Sequence, residues 1–107
     1  MRNKIPNQNL SVVRQEIDDC IVTFLMLGWN DERCIRVMID NPTKKYVHVD
    51  LRKMKPIKSD GWWWTIPMVV LVDAHSQYDV MEPAWHRVSN LEYLEWENEQ
   101  QERKNAR

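Results

Sequence analysis

Asp73-Ala74-His75-Ser76 sets an acid, a base and a nucleophile within four residues, the side-chain types of an acyl-transfer triad. Working triads are assembled from distant segments, because neighbours in an extended chain point apart. A polar loop following a strand is the plainer reading of this stretch. His75 and His86 flank a proline-containing segment that could bring them towards Asp79 or Glu82. Zinc sites, however, favour short repeated spacings of Cys and His, and the chain has none. Cys20 and Cys34 sit beside Ile21, Val22, Ile35 and Val37, which reads as two buried free thiols, with a bridge between them as the alternative. Two glycines, Gly28 and Gly61, leave no phosphate-cradling loop. The acidic residues crowd into one C-terminal segment, so no opposed carboxylate pair for glycoside chemistry stands out. The expectation is a protein that is not an enzyme and uses no cofactor or metal, with a small hydrolase or metal-dependent enzyme ranked last.

The remaining chemistry is that of surfaces. The basic stretch Arg52-Lys53-Met54-Lys55-Pro56-Ile57-Lys58 runs into Asp60-Gly61-Trp62-Trp63-Trp64, which holds half of the six tryptophans. Cations beside exposed rings are what a single-stranded nucleic acid requires, with phosphates neutralised and bases stacked. Arg52, Lys53, Lys55, Lys58 and Trp63 are the candidates for that role. A second surface lies near the C-terminus, where Tyr93 and Trp96 are interleaved with Glu92, Glu95 and Glu97. Aromatic side chains are enriched at protein contacts, so Trp63, Tyr93 and Trp96 with this acidic fringe are the candidates for binding a protein.

Charge separates the two surfaces. From residue 41 to 58 six Lys and Arg face Asp50 alone, whereas from 73 to 102 eight acids face Arg87 alone. The formal net charge is nevertheless −1, which lacks the strongly basic footprint of most nucleic-acid binders. Protein binding is therefore the leading expectation, to a host factor or to a second copy in a homodimer. A short glycine-poor chain of this kind fits the small accessory and inhibitor proteins common in bacteriophages and other mobile elements. Nucleic-acid binding is the alternative.

These residues must be positioned by a small fold. A chain of 107 residues suits one domain. Residues 1–9 are polar with Pro6 and read as a loose arm. From Leu10, the apolar positions Val13, Ile17, Cys20, Phe24 and Leu27 step by three and four, the stripe of an amphipathic helix ending near Gly28; a strand over 20–29 is the competing reading. Arg33–Ile39 and Lys45–Leu51 alternate as strands around the turn residues Asp40-Asn41-Pro42-Thr43, which predicts a hairpin. Trp62–Ile66 makes a third strand, with Trp62, Trp64 and Ile66 on the core side and Trp63 opposite. Met68–Val72 is apolar on both faces and predicts a fourth strand covered on both. Residues 74–85 read as a loop. Ser89 and Glu92 form a capping box for a helix in which Val88, Leu91 and Leu94 are apolar and Tyr93 and Trp96 flank them.

The fold class predicted is α+β: an N-terminal helix, a three- to four-stranded antiparallel sheet and a C-terminal helix. Residues 10–97 form the domain, and 98–107 are a solvated helical extension or a frayed tail. The longest apolar run, Cys20–Leu27, is far short of the roughly 20 residues that cross a bilayer. No membrane association and a cytoplasmic location are expected.

Overall fold

The computed structural model describes residues 11–29, 32–43, 45–59 and 61–105. Nine strands and one long helix order these residues: β1 (Ser11–Ile17), β2 (Cys20–Trp29), β3 (Glu32–Asp40), β4 (Val47–Asp50), β5 (Ile57–Ser59), β6 (Trp62–Thr65), β7 (Val69–Val72), β8 (His75–Met81), β9 (His86–Val88) and α1 (Asn90–Asn105). The strands form three antiparallel sheets, β1-β2-β3-β8, β4-β7 and β5-β6-β9. The protein is therefore mostly β, and the α+β expectation is corrected. No N-terminal helix is present among the described residues, and three sheets replace the single one. The arm over 1–9 and Leu10 lie outside the described residues. No helix among those described is long and apolar enough to cross a membrane.

The expected first helix is a hairpin, and its turn explains the misreading. Ile17 pairs with Cys20, so Asp18 and Asp19 form the whole connection, with φ of 51° and 67°. Positive φ at both central residues is the geometry that matches strand twist in two-residue hairpins, and Asp tolerates it better than most side chains. Each arm has period two, but the two-residue turn resets the parity. Val13, Ile17, Cys20 and Phe24 consequently share a face while spaced as on a helix. The helical stripe left out Val22 and Met26, which are buried on that same face.

Rows of side chains across the four-stranded sheet build the core. Val13, Phe24, Val37 and Tyr78 lie in one row, and Met26, Ile35 and Val80 in another. They pack against Val49 and Val72 of the two-stranded sheet and Ile57 and Trp64 of the three-stranded sheet, with Leu51, Met54 and Ile66 from the connections. One apolar interior thus joins all three sheets.

Asn41, 2% exposed, turns the chain from one sheet to another and breaks the predicted 33–51 hairpin. Its Oδ1 accepts from the Thr43 amide at 3.1 Å and the Thr43 hydroxyl at 2.7 Å. Its Nδ2 donates to the Lys45 carbonyl at 2.6 Å. The turn was readable, but the strand after it leaves: β3 pairs with β2 and β8, and β4 pairs with β7. The expected loop over 74–85 contains β8, whose His75, Gln77 and Asp79 are exposed at a sheet edge while Val80 is buried. In β7, Val69 and Leu71 are exposed, so that strand is covered on one face and not two.

Asp18 ties the first hairpin to the middle of the chain. Its carboxylate accepts from the Asp50 amide at 2.9 Å and from the Lys53 ammonium. Asp19→Gly should raise stability by about 0.5–1 kcal/mol, because glycine adopts positive φ without a Cβ clash. Asp18→Ala should lower it by about 1 kcal/mol through the lost charge-assisted bonds. Chemical denaturation measures both. Lys53 first, and then the Asp50 amide, hold the Asp18 carboxyl below its ordinary value. The folded value is the lower one, so this contribution is complete above about pH 4 and fades as pH falls through the folded value. Asp18→Asn should flatten that part of the acid limb.

Candidate functional site

The C-terminal helix starts where its sequence dictates. The Ser89 amide donates to Glu92 at 3.1 Å, and the Glu92 amide donates to the Ser89 hydroxyl at 3.2 Å. This reciprocal pair satisfies two amides that would otherwise lack partners at the helix start. The Ser89 amide bond is the main reason the Glu92 carboxyl is held below its usual range. Glu92 is thus engaged in the cap while its side chain stays exposed.

One stack fixes how α1 meets the body. The rings of Trp63 and Tyr93 lie 3.8 Å apart and 2° from parallel. Trp63 Nε1 donates to Asn90 Oδ1 at 3.1 Å, and the Lys58 ammonium is 5.3 Å from the Trp63 ring centre. Trp96 follows at 5.9 Å from Tyr93, and Tyr93 is only 8% exposed. Trp63, Tyr93 and Trp96 are therefore brought together, as an internal joint between β6 and α1. The tyrosine hydroxyl reaches Glu97 at a long 3.5 Å, while Glu95 is exposed.

The opposite helix face was undervalued by sequence reasoning. Successive residues turn by about 100° in a helix with 3.6 residues per turn. Tyr93, Trp96, Glu97 and Gln100 accordingly share the inward side and are buried or half-buried. Leu91 and Leu94 lie across from them, 68% and 52% exposed. The leucine side, expected to pack with Val88, is the outer one. The signal that separates the faces is Trp63, which offers a flat ring that Tyr93 matches and a branched leucine does not.

Arg52, Lys53, Lys55 and Lys58 are all exposed, but two of these cations already have acidic partners. Arg52 grips Asp50 through two bonds, at 2.8 and 2.9 Å, and Lys53 pairs with Asp18. The backbone of Lys55 is held by Gln15, whose side chain accepts from the amide at 2.7 Å and donates to the carbonyl at 2.9 Å. Lys58 is drawn to the covered Trp63. Of the three consecutive tryptophans the exposed one is Trp62, expected in the core, which is 42% exposed. It sits at the end of β6 opposite Ser59, and the Arg87 guanidinium lies 4.1 Å from its centre. Trp64, its neighbour by two, is buried against Trp85.

The chemical constellations come apart in the same way. His75 pairs with Asp40 and Ser76 with Ile39, so the first two members of the Asp-His-Ser stretch to enter β8 point to opposite sheet faces. Among the described residues no group of three or more His, Cys, Asp or Glu could hold a metal ion. Cys20 and Cys34 are free and buried. Cys34 pairs with Leu27, seven residues along β2 from Cys20. At about 3.3 Å per strand residue that separation is far too long for a disulfide. Burial is the main cause that pushes both thiols up.

No protein-family model matches the chain, and neither a curated protein nor a solved structure matches it.

Trp63→Ala should release α1 from the body without dissolving the sheets. The stack contributes about 0.5–1.5 kcal/mol beyond area burial. Amide exchange over residues 90–100 should then speed up markedly while β2 and β3 keep their protection, as hydrogen-exchange mass spectrometry would read.

Proposed function

We propose that this chain is a non-enzymatic protein-binding module that presents the outer face of α1 to a partner protein. The observation that carries the reading is the exposure of Leu91 and Leu94, 68% and 52%, on a helix whose other face is anchored by an aromatic stack. Burying such a side chain is worth about 1.5–3 kcal/mol, so the two leucines supply roughly 3–6 kcal/mol before ordering costs. Micromolar affinity needs about 8 kcal/mol, so polar or charged contacts must add to them. Glu95, Glu99 and Glu102 beside the leucines favour a partner with a basic rim. Binding of this kind would act by occupying a surface, in the manner of the small accessory and inhibitor proteins of bacteriophages and mobile elements. We take its place of action to be the cytoplasm.

Trp62 with Arg87 favours the second reading, nucleic-acid binding, since one base stacked on an exposed ring gains about 1–3 kcal/mol. The surface ion pairs of Arg52 with Asp50 and of Lys53 with Asp18 weigh against it, since each offsets a charge that phosphate would otherwise meet.

Comparative affinity capture from the native cell separates the two. The expected outcome is a protein retained by the wild type and by Trp62→Ala/Arg87→Glu, unaffected by nuclease, and lost with Leu91→Asp/Leu94→Asp. Retention that depends on Trp62 and Arg87 and vanishes with nuclease would support nucleic acid instead.

A further inference from the structure

Leu91, Leu94, Asn98 and Gln101 follow one another at spacings of three, four and three on α1. All four are exposed. Alternating steps of three and four mark the a and d positions of a heptad, the seam along which two helices pack. This stripe carries no charge, although Glu92, Glu95, Glu97, Glu99 and Glu102 lie on the same helix. Two leucines at its start could be incidental to a solvated surface. Uncharged amides continuing the same line for another heptad, with acids set beside it and not on it, make a seam the fuller account.

The flanks differ. On the open side, positions next to the seam are Glu95 and Glu102, both exposed. On the side nearer the body they are Asn90 and Glu97, which accept from Trp63 and Tyr93. The open flank is therefore acidic, and the inner flank is held in place by the aromatic joint.

We propose that the stripe is one half of a two-helix seam whose other half is an amphipathic helix of a different protein. That helix would set aliphatic side chains against Leu91 and Leu94, an amide against Asn98, and Lys or Arg against Glu95 and Glu102. This inference rests on the protein-binding reading and names the class of partner. A second copy of the chain fits poorly on charge. Parallel pairing sets Glu97 of one copy against Glu102 of the other, and antiparallel pairing sets Glu95 against Glu102. Like charges at flanking positions reject the self-pairing that the seam alone would permit. Asn98 at an a position narrows the register, because its amide is satisfied only opposite another polar group. Two heptads are too few for a free helix to hold its shape well in water, but α1 is already capped and docked.

The full-length chain can be titrated with two labelled synthetic helical peptides followed by fluorescence anisotropy. Both carry Leu at a and d with one Asn at the central a position; one has Lys at e and g, the other Glu. The Lys peptide should bind about tenfold tighter or better, with the preference shrinking at high salt. Leu91→Asp/Leu94→Asp should weaken it by about tenfold or more, with circular dichroism confirming the fold. Glu95→Lys/Glu102→Lys should reverse the preference between peptides, which supplies a gain of binding that misfolding could not mimic. Sedimentation should show a monomer. Equal binding of both peptides, indifference to the leucine substitutions, or a dimer abolished by them would overturn the inference. Loss of a captured protein on Leu91→Asp/Leu94→Asp, with neither peptide binding, would keep the face and reject the helical occupant.

Discussion

Trp63 and Tyr93 meet ring on ring, 3.8 Å apart and 2° from parallel, and this contact decides which way the last helix faces. A helix resting on a sheet by leucines can roll, because branched aliphatic groups fit one another in many settings. A flat stack with a hydrogen bond at its edge, here from Trp63 Nε1 to Asn90, allows very few. With Tyr93 and Trp96 committed inward, Leu91 and Leu94 are left outward as a geometric consequence. The same contact removes Trp63 from the set of open aromatic residues and draws Lys58 to it. One pair of rings thereby creates one surface and closes another.

The stack can work only because the sheets hold β6 still. Trp64 on the opposite side of that strand is buried beside Trp85, in the core shared by the three sheets. Consecutive tryptophans on a strand must face in opposite directions, so fixing Trp64 inward fixes Trp63 outward towards α1. Trp62, two residues before Trp64, lies at the strand end, 42% exposed, with the Arg87 guanidinium over its ring. The run of three tryptophans thus has three roles: a joint with the helix, a core anchor, and an exposed ring carrying a cation.

Features governed by local chemistry were legible in the sequence. Ser89 and Glu92 announced the helix start, and alternation placed Trp64 and Ile66 inside. Features governed by partners distant in the chain were not. Asp18-Asp19 gave no glycine to flag a two-residue turn, and its parity reset imitated a helical stripe. The Asn41 turn was visible, but nothing near it revealed that Lys45 and Val72, in different strands' company, would receive its amide. β8 was hidden because an edge strand with polar outward residues looks like a loop. For the candidate site, the helix was found and its two faces exchanged. Leucine is the more apolar choice in isolation, and only the flat ring of Trp63 makes Tyr93 the better fit.

The central claim is that α1 turns its aromatic side to the body and its leucines to solvent. Solution NMR of the full-length chain with a soluble paramagnetic probe tests this most directly. The account predicts strong relaxation of the Leu91 and Leu94 methyl groups, a protected Tyr93 ring, and ring-to-ring cross-peaks between Tyr93 and Trp63. Protected leucine methyls beside a freely accessible Tyr93, without those cross-peaks, would contradict it.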